Sequence, residues 1–316
     1  MKVLITGGAG FIGSHVCEAL LKRGDEVVCI DDFNDYYDPK RKEKNINDCI
    51  QNKNFRLYRE DIRNYEGLKS IFEKELPDKI IHLAARAGVR PSILNAFLYE
   101  DVNVRGTLNI LDLAKEFKVR NFVFASSSSV YGINKSVPFS ESDNVDNPIS
   151  PYAATKKSGE LLCFTYHHLY GLNMICLRFF TVYGPRGRPD MAPYLFTKSI
   201  NEGKPIEVFG DGHSKRDYTF VSDIVMGIVS ALDKELGYEI INLGNSQPIE
   251  LNELISVIEQ NLGKKAKIAR KQMPEGDVPI TYAGISKAQK LLGYNPKTTV
   301  KEGMKRFIDW YLKESI

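Results

Sequence analysis

Short apolar runs that alternate with helical stretches predict an α/β fold built on a doubly wound parallel sheet, and the loss of that rhythm after about Arg178 predicts a smaller C-terminal α/β lobe. A glycine-rich turn between the first strand and the first helix is the third observation. Residues 3–5, Val-Leu-Ile, form the first strand, and an amphipathic run to Leu21 forms the first helix. Glu26-Val-Val-Cys-Ile30 is the next buried strand and completes one βαβ unit. The alternation continues through Phe55-Arg-Leu-Tyr58, Lys79-Ile-Ile-His-Leu83, residues 121–125 and Asn173-Met-Ile-Cys-Leu177. Beyond Arg178 come Pro- and Gly-rich connections, Tyr183-Gly-Pro-Arg-Gly-Arg-Pro189 and Phe209-Gly-Asp-Gly212, which suit loops over a ligand cleft. Residues 301–314 form the last helix, with Phe307, Trp310 and Tyr311 as its buried face. We divide the chain into residues 1–178, a dinucleotide domain carrying the catalytic groups, and residues 179–316, mainly a substrate lobe, some segments of which return to the first domain.

Composition narrows the function. Hydrophobic residues make up 43% and charged residues 26%, which excludes disorder, and a net charge of +3 over 316 residues makes no case for a nucleic-acid surface. The five cysteines, Cys17, Cys29, Cys49, Cys163 and Cys176, show no CxxC spacing and read as reduced thiols. The apolar run after Met1 is too short for a signal peptide, and no stretch approaches a membrane span, so a cytoplasmic enzyme is expected.

Thr6-Gly7-Gly8-Ala9-Gly10-Phe11-Ile12-Gly13 lies where a strand ends and a helix opens, as a pyrophosphate-binding turn requires. Its glycines permit the tight turn, let the backbone approach a phosphate at the helix N-terminus, and allow close helix–strand packing. Asp31 follows 18 positions after Gly13, and Asp31-Asp32 end the second strand, where a carboxylate accepts hydrogen bonds from ribose hydroxyls. These carboxylates would repel a 2′-phosphate, and no arginine stands beside them, so the expected cofactor is NAD rather than NADP. The turn is that of a Rossmann-type domain, and Gly7, Gly10, Phe11, Ile12, Gly13, Asp31, Asp32 and Asn34 are its candidate cofactor contacts.

Tyr152-Ala-Ala-Thr-Lys156 carries the chemistry. Residues four apart share a helix face, so a phenol and an ammonium can point into one site. A free tyrosine titrates near ~10, and a neighbouring cation favours its phenolate, which makes the pair a hydroxyl proton acceptor.

Strand, glycine turn, acidic strand end, serine cluster and YxxxK in this order resemble the extended short-chain dehydrogenase/reductase family over essentially the whole chain. The nucleotide-sugar 4-epimerase branch is the most similar, through Asp61-Ile62, His82-Leu-Ala-Ala85, Ser127-Ser-Ser-Val-Tyr-Gly132, Pro151-Tyr-Ala-Ala-Thr-Lys156, Arg178-Phe-Phe-Thr-Val-Tyr-Gly-Pro185 and Arg216-Asp-Tyr218. The resemblance implies that Asp61 and Ile62 contact adenine, that Leu83, Ala84 and Ala85 line the dinucleotide path, that Asn103 supports it, and that Lys156 also holds the nicotinamide ribose. It further implies that Arg216 meets a UDP diphosphate, that Asp277 lies near the uridine ribose, and that residues 102–117 and 152–170 form a homodimer interface. Those helices' apolar stripes could equally pack on the sheet.

Several family reactions begin alike: Tyr152 removes a sugar hydroxyl proton while hydride leaves C4 for NAD, giving a 4-keto sugar. Elimination of water needs an acid and a base near C5 and C6, and the branch that performs it carries Asp-Glu where this chain has Ser128-Ser129. The decarboxylating branch carries glutamate at the position of Ser129. Without these groups the keto sugar rotates and takes the hydride back on its other face, which is C4 epimerisation. Ser127 is the candidate hydrogen-bond donor to O4.

Asp32-Phe-Asn-Asp-Tyr-Tyr-Asp-Pro39, Ala87-Gly-Val-Arg90 and Gly184-Pro-Arg-Gly-Arg-Pro-Asp-Met191 look most like UDP-glucuronate 4-epimerases. That resemblance implies a sugar carboxylate held by Ser127, Ser128 and Thr181, with Arg90 and Arg188 near the sugar and phosphates. UDP-N-acetylglucosamine ranks second, because the small Thr281 leaves room for an N-acetyl group, and UDP-glucose third. A dinucleotide-binding regulatory protein without catalysis is the reading from another class, opposed by the intact Ser127, Tyr152 and Lys156. His82, His167 and His168 lack partners at metal spacing and take core or surface roles, so no metal is assigned. Lys40-Arg-Lys42, with Lys44 beyond, reads as a solvated helix face outside the site.

Overall fold

The computed structural model describes residues 1–272 and 280–314. Asp277 lies outside them. Seven strands form the central sheet: β1 (Lys2–Thr6), β2 (Glu26–Asp31), β3 (Phe55–Arg59), β4 (Lys79–His82), β5 (Asn121–Ser127), β6 (Asn173–Phe179) and β7 (Tyr238–Leu243). Their order is β7-β6-β5-β4-β1-β2-β3, and every neighbouring pair is parallel. This is the doubly wound sheet expected from the alternating runs. The order in which strands are added reverses between β1 and β4, and in such sheets the crevice beyond the carboxyl ends at that point takes the ligand.

Successive strand residues face opposite sides of the sheet, so a parallel sheet needs apolar residues at both parities. Val3, Ile5, Val27, Cys29, Ile81, Val123, Ile175, Leu177 and Ile241 join one buried cluster, while Leu4, Val28, Ile30, Ile80, Phe122, Phe124, Met174 and Cys176 join the other. Both faces are therefore covered, and the near-continuous apolar character of each run follows.

The helix α1 (Phe11–Arg23) starts from Gly10 and ends at the left-handed Gly24. The short helix α2 (Pro39–Asn45) is capped by the Asp38 carboxylate. A helix α3 (Gly106–Glu116) follows a five-residue π turn, Asp101–Arg105. The helix α4 (Pro151–Tyr170) begins where the Ser150 hydroxyl accepts from the Ala153 amide at 3.1 Å and Pro151 supplies a pre-set first turn, and it stops at the left-handed Gly171. Its start fixes where Tyr152 sits. The helix α5 (Val221–Leu232) packs back on the sheet, with the Lys79 ammonium and the Asn121 amide both donating to the Leu232 carbonyl. In α6 (Val300–Glu314) the buried stripe runs through Met304, Phe307, Ile308 and Tyr311, and Trp310 falls at its edge, only partly buried.

Beyond β6 the lobe is built of small sheets. Lys215–Arg216 lies between Ile249–Glu250 and Ile280–Thr281, and Pro205–Phe209 pairs with Lys267–Lys271.

Candidate active site

A cleft of about 420 Å³ runs along the carboxyl ends of the strands, from the β2 and β3 ends to β5 and the start of α4. It is lined by Gly7, Gly10, Phe11, Ile12, Gly13, Asp31, Asp32, Asn34, Asp61, Ile62, Leu83, Ala84 and Ala85 at one end, and by Ser127, Ser128, Tyr152, Lys156, Thr181 and Arg188 at the other. Residues more than a hundred positions apart in sequence thus share one cavity.

The glycine turn is shaped for close approach. Gly7 has a φ of 70°, and a Cβ there would meet the Ala84 amide nitrogen at 2.8 Å; a Cβ on Gly13 would meet the Gly7 carbonyl oxygen at 2.1 Å. No side chain caps the amino end of α1, so its first amide groups face the cleft as an anion site. The Thr6 hydroxyl accepts from the Ala84 amide at 3.2 Å and meets His82 Nδ1 at 2.6 Å, while His82 Nε2 meets the Thr107 hydroxyl at 2.9 Å. Burial, then the Lys156 charge, push the His82 imidazole down to about 3, so it is a neutral strut beneath the cleft.

At the end of β2 the two acidic residues divide the work. Asp31 is buried and accepts from the Ala9 amide at 3.1 Å, the Phe33 amide at 2.9 Å and the Lys42 ammonium at 3.0 Å, so it braces the turn. The Asp32 side chain is 31% exposed and lies 3.6 Å from the same ammonium. Lys42 therefore overturns the reading of its helix as a solvated face. Lys40 and Lys44 are exposed, but Lys42 lies on the inward side of α2, buried against both carboxylates. Burial raises the Asp61 carboxyl, but the Arg63 guanidinium and amide more than offset this and hold it below the usual carboxylate range.

At the other end the Lys156 ammonium donates to the Ala125 carbonyl at 2.7 Å and lies 5.1 Å over the Phe124 ring. Burial brings it down to about 8. Burial raises the Tyr152 phenol; the neighbouring Ser127 hydroxyl and the Arg188 charge act in the opposite direction without cancelling it. The cation expected to favour the Tyr152 phenolate was Lys156. The Arg188 guanidinium, which lines the same cleft, supplies a further positive charge that favours it. Arg188 is held by Asp190, Nε to Oδ1 at 3.0 Å, and its guanidinium stands 5.4 Å over the Tyr36 ring. The Ser127 hydroxyl donates to Ser129 Oγ at 3.1 Å, bringing Ser129 into the same group.

Four sequence candidates stand elsewhere or cannot be placed. Asn103 is buried on the π turn behind the cleft, where its amide accepts from the Arg86 amide at 2.8 Å and donates to the Arg86 carbonyl and the Thr155 hydroxyl, both at 3.0 Å. Arg90 is exposed, with its guanidinium 4.7 Å over the Phe209 ring. Arg216 lies on the short strand paired with Ile280–Thr281, outside the cleft lining. Asp277 is outside the described residues. Lining residues missed in the sequence include Tyr36, Lys42, Glu60, Arg86, Ser129 and Met191. Tyr36 could have been found in the aromatic acidic run after β2, and Arg86 as the continuation of the path through Ala84 and Ala85.

A family model described as GDP-mannose 4,6 dehydratase matches residues 4–307. The chain belongs to that family. Within this extended short-chain dehydrogenase/reductase group, a UDP-glucuronate 4-epimerase of Thermodesulfobacterium geofontis is 51% identical over 314 residues, covering 99% of this chain and 96% of the relative. The crystal structure of UDP-glucuronic acid 4-epimerase from Bacillus cereus, in complex with UDP-glucuronic acid and NAD, superposes with a TM-score of 0.94 at 40% identity, covering 99% of this chain and all of that one. A UDP-glucose 4-epimerase from Thermotoga maritima with UDP-glucose gives 0.92 at 31% identity, with both chains fully covered. Family membership explains why the glycine turn and the Tyr152–Lys156 pair share one cleft.

Proposed function

We propose that this family member, an NAD-dependent UDP-sugar 4-epimerase, takes UDP-glucuronate as its substrate. The observation that carries the reading is the distribution of charge in the cleft. Its lining carboxylates, Asp31, Asp32, Glu60 and Asp61, all lie at the β2–β3 end, whereas Ser127, Ser128, Ser129 and Thr181 line the other end with Arg188. Hydroxyl donors and a guanidinium offset the cost of taking a sugar carboxylate out of water. The 51%-identical UDP-glucuronate 4-epimerase supports the same choice. Elimination of water would need an acid and a base where this wall has serines.

The residues present fit NAD: Gly7 and Gly13 let the turn fold tightly against Ala84 and against itself, the uncapped end of α1 faces the cleft for a pyrophosphate, and Asp32 faces it for ribose hydroxyls. When bound, NAD supplies the hydride acceptor and returns the hydride. Tyr152 takes the O4 proton and gives it back. Ser127 hydrogen-bonds the same oxygen, and Lys156, anchored on the Ala125 carbonyl, keeps further N–H donors for a ribose. Arg188 holds positive charge near the phenol and the substrate phosphates. Arg216 meets the diphosphate from the lobe.

Proton NMR with UDP-glucuronate, UDP-N-acetylglucosamine and UDP-glucose, each alone, tests the substrate. The 4-epimer is expected to form fastest from UDP-glucuronate, and a faster rate with either other sugar sinks the assignment.

The protein works in the cytoplasm as a homodimer through α3 and α4. Leu108, Leu161 and Phe164 on these helices are 39%, 55% and 50% exposed, an apolar surface that a partner could cover, with Phe164 at its edge against Tyr238 of β7. A monomer mass by equilibrium sedimentation at micromolar concentration would exclude the dimer.

A further inference from the structure

Behind the cleft lies a buried ionic cluster that the chemistry does not use directly. Glu160 on α4 is fully buried, and Arg178 on β6 is 1% exposed. Arg178 grips the carboxylate with both arms, Nε to Oε1 at 2.8 Å and Nη2 to Oε2 at 2.9 Å. The Ser126 hydroxyl on β5 donates to Glu160 Oε1 at 2.6 Å. Ser126 and Arg178 are direct cross-strand partners, so their side chains leave the same face of the sheet toward the helix. The cluster extends outward: the Arg178 guanidinium lies 4.8 Å over the Tyr131 ring, and the Tyr131 hydroxyl donates to Asn242 Oδ1 at 2.7 Å on β7.

Position gives the cluster its meaning. Glu160 is four residues after Lys156 and eight after Tyr152, on the same face of α4. Ser126 directly precedes Ser127, and Ala125, one residue earlier, receives the Lys156 ammonium at 2.7 Å. Three consecutive residues of β5 therefore carry the helix anchor, the ionic cluster and the O4 donor. Lys156 and the close packing of Gly159 on the Phe124 ring already hold α4 on β5; the Glu160 contacts add a directional polar tie one turn beyond Lys156. A buried ion pair is a poor source of net stability compared with apolar packing, but it fixes geometry where register matters.

We propose that Glu160, Arg178 and Ser126 are positioning residues that set the register of the catalytic helix against the strand carrying Ser127, and so the Ser127–Tyr152 contact on which proton transfer depends. The proposal rests on the assignment of Tyr152 as the base.

The test compares Ser126→Ala, Ser126→Thr and Tyr152→Phe, each as the full chain with NAD, by UDP-sugar NMR rates across pH. Ser126→Ala removes the tie between the cluster and the serine strand and leaves the Glu160–Arg178 pair in place. Its kcat is expected to fall about ten- to hundredfold, since small displacements of reacting groups cost that much, with KM and NAD retention within about twofold. The acid limb of its kcat profile moves to higher pH, because Tyr152 loses the Ser127 contact that favours its phenolate. Ser126→Thr, which restores a hydroxyl, recovers most of the loss. Wild-type kcat and an unmoved acid limb in Ser126→Ala overturn the proposal, as does a loss of kcat that Ser126→Thr leaves unrestored. If Ser126→Ala does not fold, Glu160→Gln is read by the same criteria. Activity in Tyr152→Phe instead overturns the assignment of the base, independently of the cluster.

Discussion

The two ends of the cleft are built differently. At the nucleotide end every group comes from the first 85 residues, from the ends of successive strands, and the Asp31 carboxylate is satisfied largely by backbone amides of Ala9 and Phe33. At the sugar end Ser127, Tyr152, Lys156, Thr181 and Arg188 come from four separate segments, and their environment rests on side chains and burial. The first end is shaped mainly by backbone within the first half of the sheet, whereas the second relies on side chains drawn from both sides of residue 178. The nucleotide end should tolerate side-chain changes that leave its turn intact, and the sugar end should be sensitive to each group.

The largest effect separates the ends most sharply. Tyr152→Phe should retain NAD, seen in the ultraviolet spectrum of the purified protein, while the epimerisation rate falls about 10³-fold, the usual range for losing a general base. Loss of NAD from this variant would mean that the two ends are not separable.

Lys42→Met probes the buried Lys42–Asp31 pair at the nucleotide end. Removing a partner from such a pair costs about 3–5 kcal/mol, and the lower figure is expected here because two amides remain on Asp31. Urea unfolding of the cofactor-free protein measures this, and an unchanged midpoint would return α2 to the status of a solvated helix.

Lys156 supplies a pH signature of the sugar end. Its folded-state value, lowered by burial to about 8, lies below that of an unfolded lysine. Between these values the unfolded chain binds more protons, so stability rises as pH increases from about 8 toward 10.4, by on the order of 3 kcal/mol in total from this group. Lys156→Met should lack that rise in urea midpoints taken across the window. A rise of equal size in the variant would locate the proton elsewhere.

The smallest effect is expected from Lys44→Ala, two residues from Lys42. Lys44 meets Glu314 at the surface with 61% of its side chain exposed, and an exposed pair contributes less than about 1 kcal/mol. A midpoint shift as large as that of Lys42→Met would remove the distinction between the two faces of α2.

The same contrast explains what could be read before the structure. The sheet was legible because each strand needs apolar residues at both parities, and Thr6 to Gly13 and Tyr152 to Lys156 were legible because their spacing encodes geometry within one turn or one helix face. Lys42 was misread because a short, mostly basic helix does not show which side turns inward; that depends on Asp31 lying opposite. Asn103 was recognised as a supporting group, but its position behind the cleft follows from the π turn, which no periodicity announces. The additional charge that Arg188 brings toward Tyr152 depends on the path of the loop after Tyr183, a tertiary matter. Thr281 sits in the short strand paired with Arg216 and not in the cleft lining, because that small sheet joins segments far apart in sequence.

The outermost strand next to β6 is β7, whose residues come almost sixty positions after β6 has ended. While the chain is being synthesised, β6 must wait with one row of amides and carbonyls unpaired until residues 238–243 leave the ribosome. A nascent chain that stalls within the lobe carries an adhesive edge beside the strand that completes the catalytic half, so the speed with which the lobe is translated bears on how much of the enzyme escapes aggregation.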